Sequence, residues 1–180
     1  MPVITLEAVG FCAHYSEAGD WAFDFALELS RQRNMPLNVF HFLSDPYNPE
    51  DHTVDNLTRE EKARLAIKRE RELRFYYDER AGDYLDVGFR LCEDQEWTEL
   101  HRCLLIREFQ VLVLGYVKPS AMFAGRPIET FADAFVSPVI LVGPMNRRQL
   151  HLNSRAALIA DKLGVPKDGW TLIERVSTSG

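Results

Sequence analysis

His14 and Ser16 stand two residues apart in the stretch Cys12-Ala13-His14-Tyr15-Ser16, a base beside a potential nucleophile. Hydrolytic chemistry of that kind also needs an acid to orient the imidazole and a strained turn to present the hydroxyl, and the flanking sequence supplies neither. Ser16 explains itself as the N-cap of a helix. Cys12 and His14 fall on one side of a predicted strand, and His101 with Cys103 repeats the residue types on a helix. Zinc takes three or four ligands in compatible places, so no metal site is expected and Cys12 is assigned to the core. No catalytic residue is assigned. Lys118 and Arg126 offer a different chemistry, since two cations in one loop suit a small anion.

The elements that must position these residues alternate along the chain. Ile4–Ala13 suits a buried strand. Ser16 to Arg33 predicts a helix, with Ala22, Phe25, Ala26 and Leu29 on one stripe and a stop at Asn34 and Pro36. Leu37–Leu43 is a second strand, followed by the turn-rich loop Ser44–Thr53. Val54 to Ala81 predicts a long charged helix with Ala63, Ala66, Ile67, Leu73 and Tyr77 turned inward. Leu85–Cys92 is the third strand. A helix capped by Asp94 then runs through Phe109, with Trp97, Leu100 and Leu104 on its inner side. Val111–Leu114 is the fourth strand. Pro127 opens a helix striped by Ile128, Phe131, Ala132 and Phe135, and Val139–Val142 is the fifth strand. In the tail, a helix near Arg155–Leu163 stops at Gly164 and a strand Trp170–Val176 follows. Phe23, Phe25, Phe75, Tyr76 and Tyr77 are expected in packing.

Strands separated by helices imply right-handed crossovers and a parallel sheet covered on both faces. Ligands bind such sheets outside the carboxyl ends of the strands, where strand order reverses. That places function at the turn after the first strand, 13–17, and the loop after the fourth, 115–126.

Composition narrows the classes. A chain of 180 residues, 46% hydrophobic and 27% charged, fits one folded domain and not a disordered one. Its apolar runs are too short to span a bilayer, and the first ten residues lack the basic region of a signal peptide. Three scattered cysteines do not make a secreted disulfide framework. A cytoplasmic protein is expected, with no membrane partner. The formal charge of −6 divides unevenly: residues 1–117 carry 13 basic and 22 acidic groups, and residues 118–180 carry 8 and 5. An acidic whole argues against nucleic-acid binding.

Four segments together resemble the universal stress protein family. His14-Tyr15-Ser16-Glu17 leading into Ala26-Leu27-Glu28-Leu29-Ser30 resembles its first strand–helix turn, usually Asp-x-Ser-Glu before an alanine-rich helix. Asn38-Val39-Phe40-His41-Phe42 resembles its second strand, Val111-Leu112-Val113-Leu114-Gly115 its fourth, and Ser137-Pro138-Val139-Ile140-Leu141-Val142 its fifth. The resemblance covers residues 4–143. It implies an adenine nucleotide α-hydrolase-like α/β fold: an open five-stranded parallel sheet in order 3-2-1-4-5 with helices on both faces. It also implies a homodimer paired through Val139–Val142. The division expected is a 1–144 domain with a C-terminal helix–strand extension, 145–180, packed on that domain or its dimer mate.

Some members of that family bind ATP through Gly-x-x-Gly, nine residues, then Gly-Ser or Gly-Thr. Here Gly115 matches the first glycine, Lys118 replaces the second, the spacer is 119–124, Gly125 matches the third, and Arg126 replaces the hydroxyl residue. His14 stands where the family has its adenine-side Asp. The resemblance thus marks His14, Ser16, Phe42, Gly115, Lys118, Gly125 and Arg126 as candidate ligand-binding residues. The function expected is a non-catalytic stress-response or regulatory protein that is not a standard ATP binder, has no required cofactor and acts through an unidentified protein partner. Two alternatives stand beside it: a sensor of ATP, AMP or another anion using Lys118 and Arg126, and an enzyme of the adenine nucleotide α-hydrolase-like group.

Overall fold

The computed structural model describes residues 5–92 and 98–173. Ile4, Asp94, Trp97 and the end of the strand expected over Trp170–Val176 lie outside them. Strand β1 (Val9–Cys12) leads into helix α1 (Glu17–Arg33), then β2 (Leu37–Phe42), α2 (Arg59–Ala81), β3 (Val87–Cys92), α3 (Thr98–Leu105) and β4 (Val111–Gly115). A two-stranded hairpin, β5 (Met122–Phe123) and β6 (Arg126–Pro127), precedes α4 (Ile128–Ala134) and β7 (Val139–Val142). The tail adds β8 (Leu150–Leu152), α5 (Ser154–Leu158) and β9 (Trp170–Leu172).

The first five core strands are parallel in the order β3-β2-β1-β4-β7, as expected. The sheet does not stop at five. β8 pairs antiparallel with β7, and β9 parallel with β8, giving seven strands. This corrects the expectation of an open edge at Val139–Val142: Ile140, Leu141 and Val142 already face Leu152, His151 and Leu150 of the same chain. A homodimer paired through that strand would first have to displace β8.

Asn153 fixes the added strand. Its side-chain oxygen accepts from Val139 N and Ala156 N, while its amide donates to Ala132 O and Ser137 O. One buried side chain thus caps α5 and ties it to both ends of the turn before β7. Cores fill both faces of the sheet. Val9, Phe11, Val39, Val113 and Ile140 pack under α1 and α2; Cys12, Phe40, Leu112, Leu114 and Leu141 pack under α3 and α4. This odd–even division follows from the period of two along a strand.

α1 begins where the sequence predicts, with Ser16 Oγ accepting from Gly19 N at 2.9 Å, and ends at Asn34 in the left-handed conformation. α2 starts later than expected, at a capping box of Thr58 and Glu61. Its inner face is also rotated: Leu73, Tyr77 and Ala81 are buried, whereas Ala63 and Ile67 are exposed. Phe75 is 80% exposed and does not pack. Phe109 falls outside α3, buried in the turn before β4.

Candidate functional site

The carboxyl ends of β1, β2 and β4 define the crevice where ligands of such sheets bind. A cavity of about 320 Å³ opens at the β1–β2 side, beneath the middle of α2. His14, His41, Phe42, Asp45, Asp51 and Arg69 are among its walls. Arg69 Nη1 crosses from α2 to donate to the carbonyls of Phe42 and Leu43, so the strand end is closed by a cation from above.

His14 leaves β1 just past its last residue. Its Nδ1 lies 2.9 Å from Ser16 Oγ, which also accepts from Gly19 N. Asp45 Oδ2 lies 4.0 Å from Nε2. An acid absent from the local sequence therefore approaches the imidazole, but beyond hydrogen-bond reach. Ser16 Oγ meanwhile serves the first turn of α1 as its cap. Burial lowers the His14 pKa, and Asp45 opposes the shift. His41 is only 4% exposed, and neither ring nitrogen has a hydrogen-bond partner. Burial lowers its pKa as well, with Glu70 opposing.

The β4 side is filled. Tyr47, from the loop after β2, inserts its ring between the two strand ends: 4.1 Å from the His14 ring, 5.0 Å from Phe123, and its hydroxyl donating to Gly115 O at 3.0 Å. The loop after β4 is a tight hairpin and not an open cradle. Ala124 and Gly125 turn it with φ of 52° and 83°, both positive as a two-residue hairpin turn requires. Ala124 N donates to Pro46 O, and Phe123 is buried against Phe42 and Phe131. Inside the loop, Glu129 Oε2 accepts from Ser120 N at 2.7 Å and from Tyr116 OH at 2.5 Å. The protein's own carboxylate takes a loop amide that an anion would need.

The seven candidates therefore separate. His14 and Phe42 line the β1–β2 cavity, and Ser16 stands behind His14, bonded to its ring. Gly115 serves packing: a Cβ there would lie 2.7 Å from Gly19 N and 2.9 Å from Ala18 C, so glycine lets α1 approach β4. Gly125 serves the hairpin turn, and Lys118 is exposed. Arg126 lies in β6, and α4 begins only after Pro127, in the extended conformation. Tyr47, Glu129 and Gly19 were not singled out in the sequence. Glu129 could have been, because an acid in the first turn of α4 opposes anion binding there. Cys12, Cys92 and Cys103 are buried as free thiols in one core. Among the described residues no group of three or more His, Cys, Asp or Glu side chains could hold a metal ion. Among them, too, no helix is long and apolar enough to cross a membrane.

A five-stranded parallel core in this order, with helices on both faces and two further strands at one edge, defines a doubly wound type of α/β fold. Among solved structures it is shared by universal stress proteins. UspA from Lactobacillus plantarum matches with a TM-score of 0.54 at 15% identity, over 76% of this chain and 97% of its own. A universal stress protein family member from Burkholderia pseudomallei matches with a TM-score of 0.50 at 18% identity, over 77% of this chain and 96% of its own. No family model and no curated protein matches the sequence. The chain has the universal stress protein fold, extended by β8 and β9.

Proposed function

We propose that this is a non-catalytic regulatory protein of universal-stress-protein type that does not bind ATP in the standard way. One observation carries the proposal: the Tyr47 ring occupies the space between the ends of β1 and β4. A nucleotide bound across that switch point would have to expel an aromatic side chain packed on both sides. The loop on the far side is a closed hairpin, and its inner amide is committed to Glu129. A regulatory protein of this kind acts through a protein partner. Calorimetry with Mg-ATP tests the proposal: no heat of binding is expected up to millimolar nucleotide, and micromolar affinity would overturn it.

A second reading is favoured by the cavity at the β1–β2 side. About 320 Å³ is at the low end for a small-molecule site, and the buried His41 ring at its wall has two unsatisfied nitrogens. Adenosine without phosphates is the probe for it. Binding of adenosine with none of ATP would support a sensor of a base-sized ligand.

A further inference from the structure

The tail strands create a second cavity, of about 370 Å³, on the opposite side of the β4 loop. Its walls include Tyr116, Ser120 and Glu129 from the loop and α4, and His151, Thr171 and Leu172 from β8 and β9. Without β8 and β9 half of it would not exist. Glu129 is only 5% exposed. Its Oε2 accepts two hydrogen bonds from neutral donors, whereas its Oε1 is buried with no partner. Buried carboxylate oxygens are costly unless paired with a donor, and best paired with a cation.

The neighbouring side chains do not supply that donor. His151 Nε2 faces Gly143 O at 3.0 Å, so its proton is directed at that carbonyl, and Nδ1 lies 2.7 Å from Thr171 Oγ1. Burial lowers the His151 pKa, while the bond to Gly143 O and the Glu129 carboxylate oppose the shift. Among the described residues no lysine or arginine lines the cavity. Leu172 and Ile173 add apolar wall on the β9 side.

We propose that this cavity binds a small organic ammonium ion, with an N–H donated to Glu129 Oε1 and the alkyl part against Leu172 and Ile173. The charge on Glu129 selects a cation, and the apolar wall selects a carbon chain over a bare inorganic ion. The site is independent of the β1–β2 cavity, so failure of ATP or adenosine to bind there leaves it unaffected.

The test is calorimetry on the full chain with n-butylammonium, with n-butyrate and n-butanol as charge controls. Butylammonium should bind, and the two controls should bind at least about ten-fold more weakly, the scale expected of one charge-assisted contact. Glu129→Gln should lose a similar factor. Because Glu129 also holds the loop, that variant is checked for folding by circular dichroism, and Leu172→Trp serves as a second variant. It narrows the cavity at an exposed position and leaves the carboxylate in place, and it too should weaken binding. Equal binding of butyrate and butylammonium, or undiminished binding to a folded Glu129→Gln or to Leu172→Trp, would overturn the proposal. So would the absence of any butylammonium heat.

Discussion

The two sides of the crevice use the same kind of strand end and reach opposite outcomes. At β1 and β2 the chain leaves a cavity, walled by ionisable side chains whose polar atoms are only partly satisfied. At β4 most short-range demands are met from within, Glu129 Oε1 excepted: Tyr47 OH on Gly115 O, Glu129 Oε2 on Ser120 N, and Phe123 in the core. The difference lies in the loops and not in the sheet. The 115–126 loop is short and turns sharply at Ala124-Gly125, which folds it back on itself. The longer loop after β2 reaches across to deliver Tyr47. The crevice is thus filled on the β4 side by the Tyr47 ring and a folded-back hairpin, and a cavity is kept on the β1–β2 side.

The sharpest way to break this comparison is at Gly115. If that glycine serves the packing of α1 on β4, Gly115→Val forces a Cβ to within 2.7 Å of backbone that cannot yield. A loss of about 3 kcal/mol or more is expected in urea unfolding, or failure to fold. A Gly115→Val protein of unchanged stability would restore the glycine to a ligand role. Next in size is Tyr47→Ala, which removes a largely buried ring and should lose about 2–4 kcal/mol. Tyr47→Phe keeps the ring and removes only the bond to Gly115 O, for about 1 kcal/mol. Equal losses in the two variants would mean that the ring does not fill the crevice.

The centre of the sheet was legible because β4 and β7 are continuous apolar runs of four or more residues, buried on both faces. β8 was not, being three residues long and interrupted by His151, whereas β9 falls at the start of the strand expected over Trp170–Val176. What holds β8 in place is Asn153, three of whose four hydrogen bonds reach groups distant in sequence, and no local pattern announces those. The site was legible only in part. Strand ends and loop glycines could be placed, but their roles depended on side chains arriving from elsewhere. Tyr47 reads as one aromatic among turn residues until β2 and β4 are brought together. The inner face of α2 was misjudged for a related reason: its middle lies over the cavity, so periodicity alone could not say which stripe meets the sheet.

The open side also predicts a pH dependence of intermediate size. Burial lowers the pKa of His14, His41 and His151 in the folded state. The unfolded chain then binds more protons below the ordinary histidine value of about 6.5, so stability is full above that pH and falls as the pH drops through the lowered values. The thermal midpoint should fall by a few degrees between pH 7 and pH 5. His41→Leu should flatten that slope, because it removes a ring whose nitrogens are buried without partners. An unchanged slope would show that the other two rings carry the effect.

The smallest effect is expected at Lys118, and it separates a solvated charge from a binding one. Lys118 is exposed on the β4 loop, two residues before the amide that Glu129 occupies. An exposed lysine engaged in no built site is nearly neutral when truncated, so Lys118→Ala should change stability by less than about 0.5 kcal/mol. If the loop did hold an anion, the same substitution would weaken inorganic phosphate binding and reduce its salt dependence. Phosphate titrations of the two proteins at low and moderate salt are expected to be indistinguishable, because a carboxylate already sits where the anion would be. A phosphate affinity that falls with salt in the parent protein and vanishes in Lys118→Ala would mean that the β4 side is open after all. The contrast between the two sides of the crevice would then collapse.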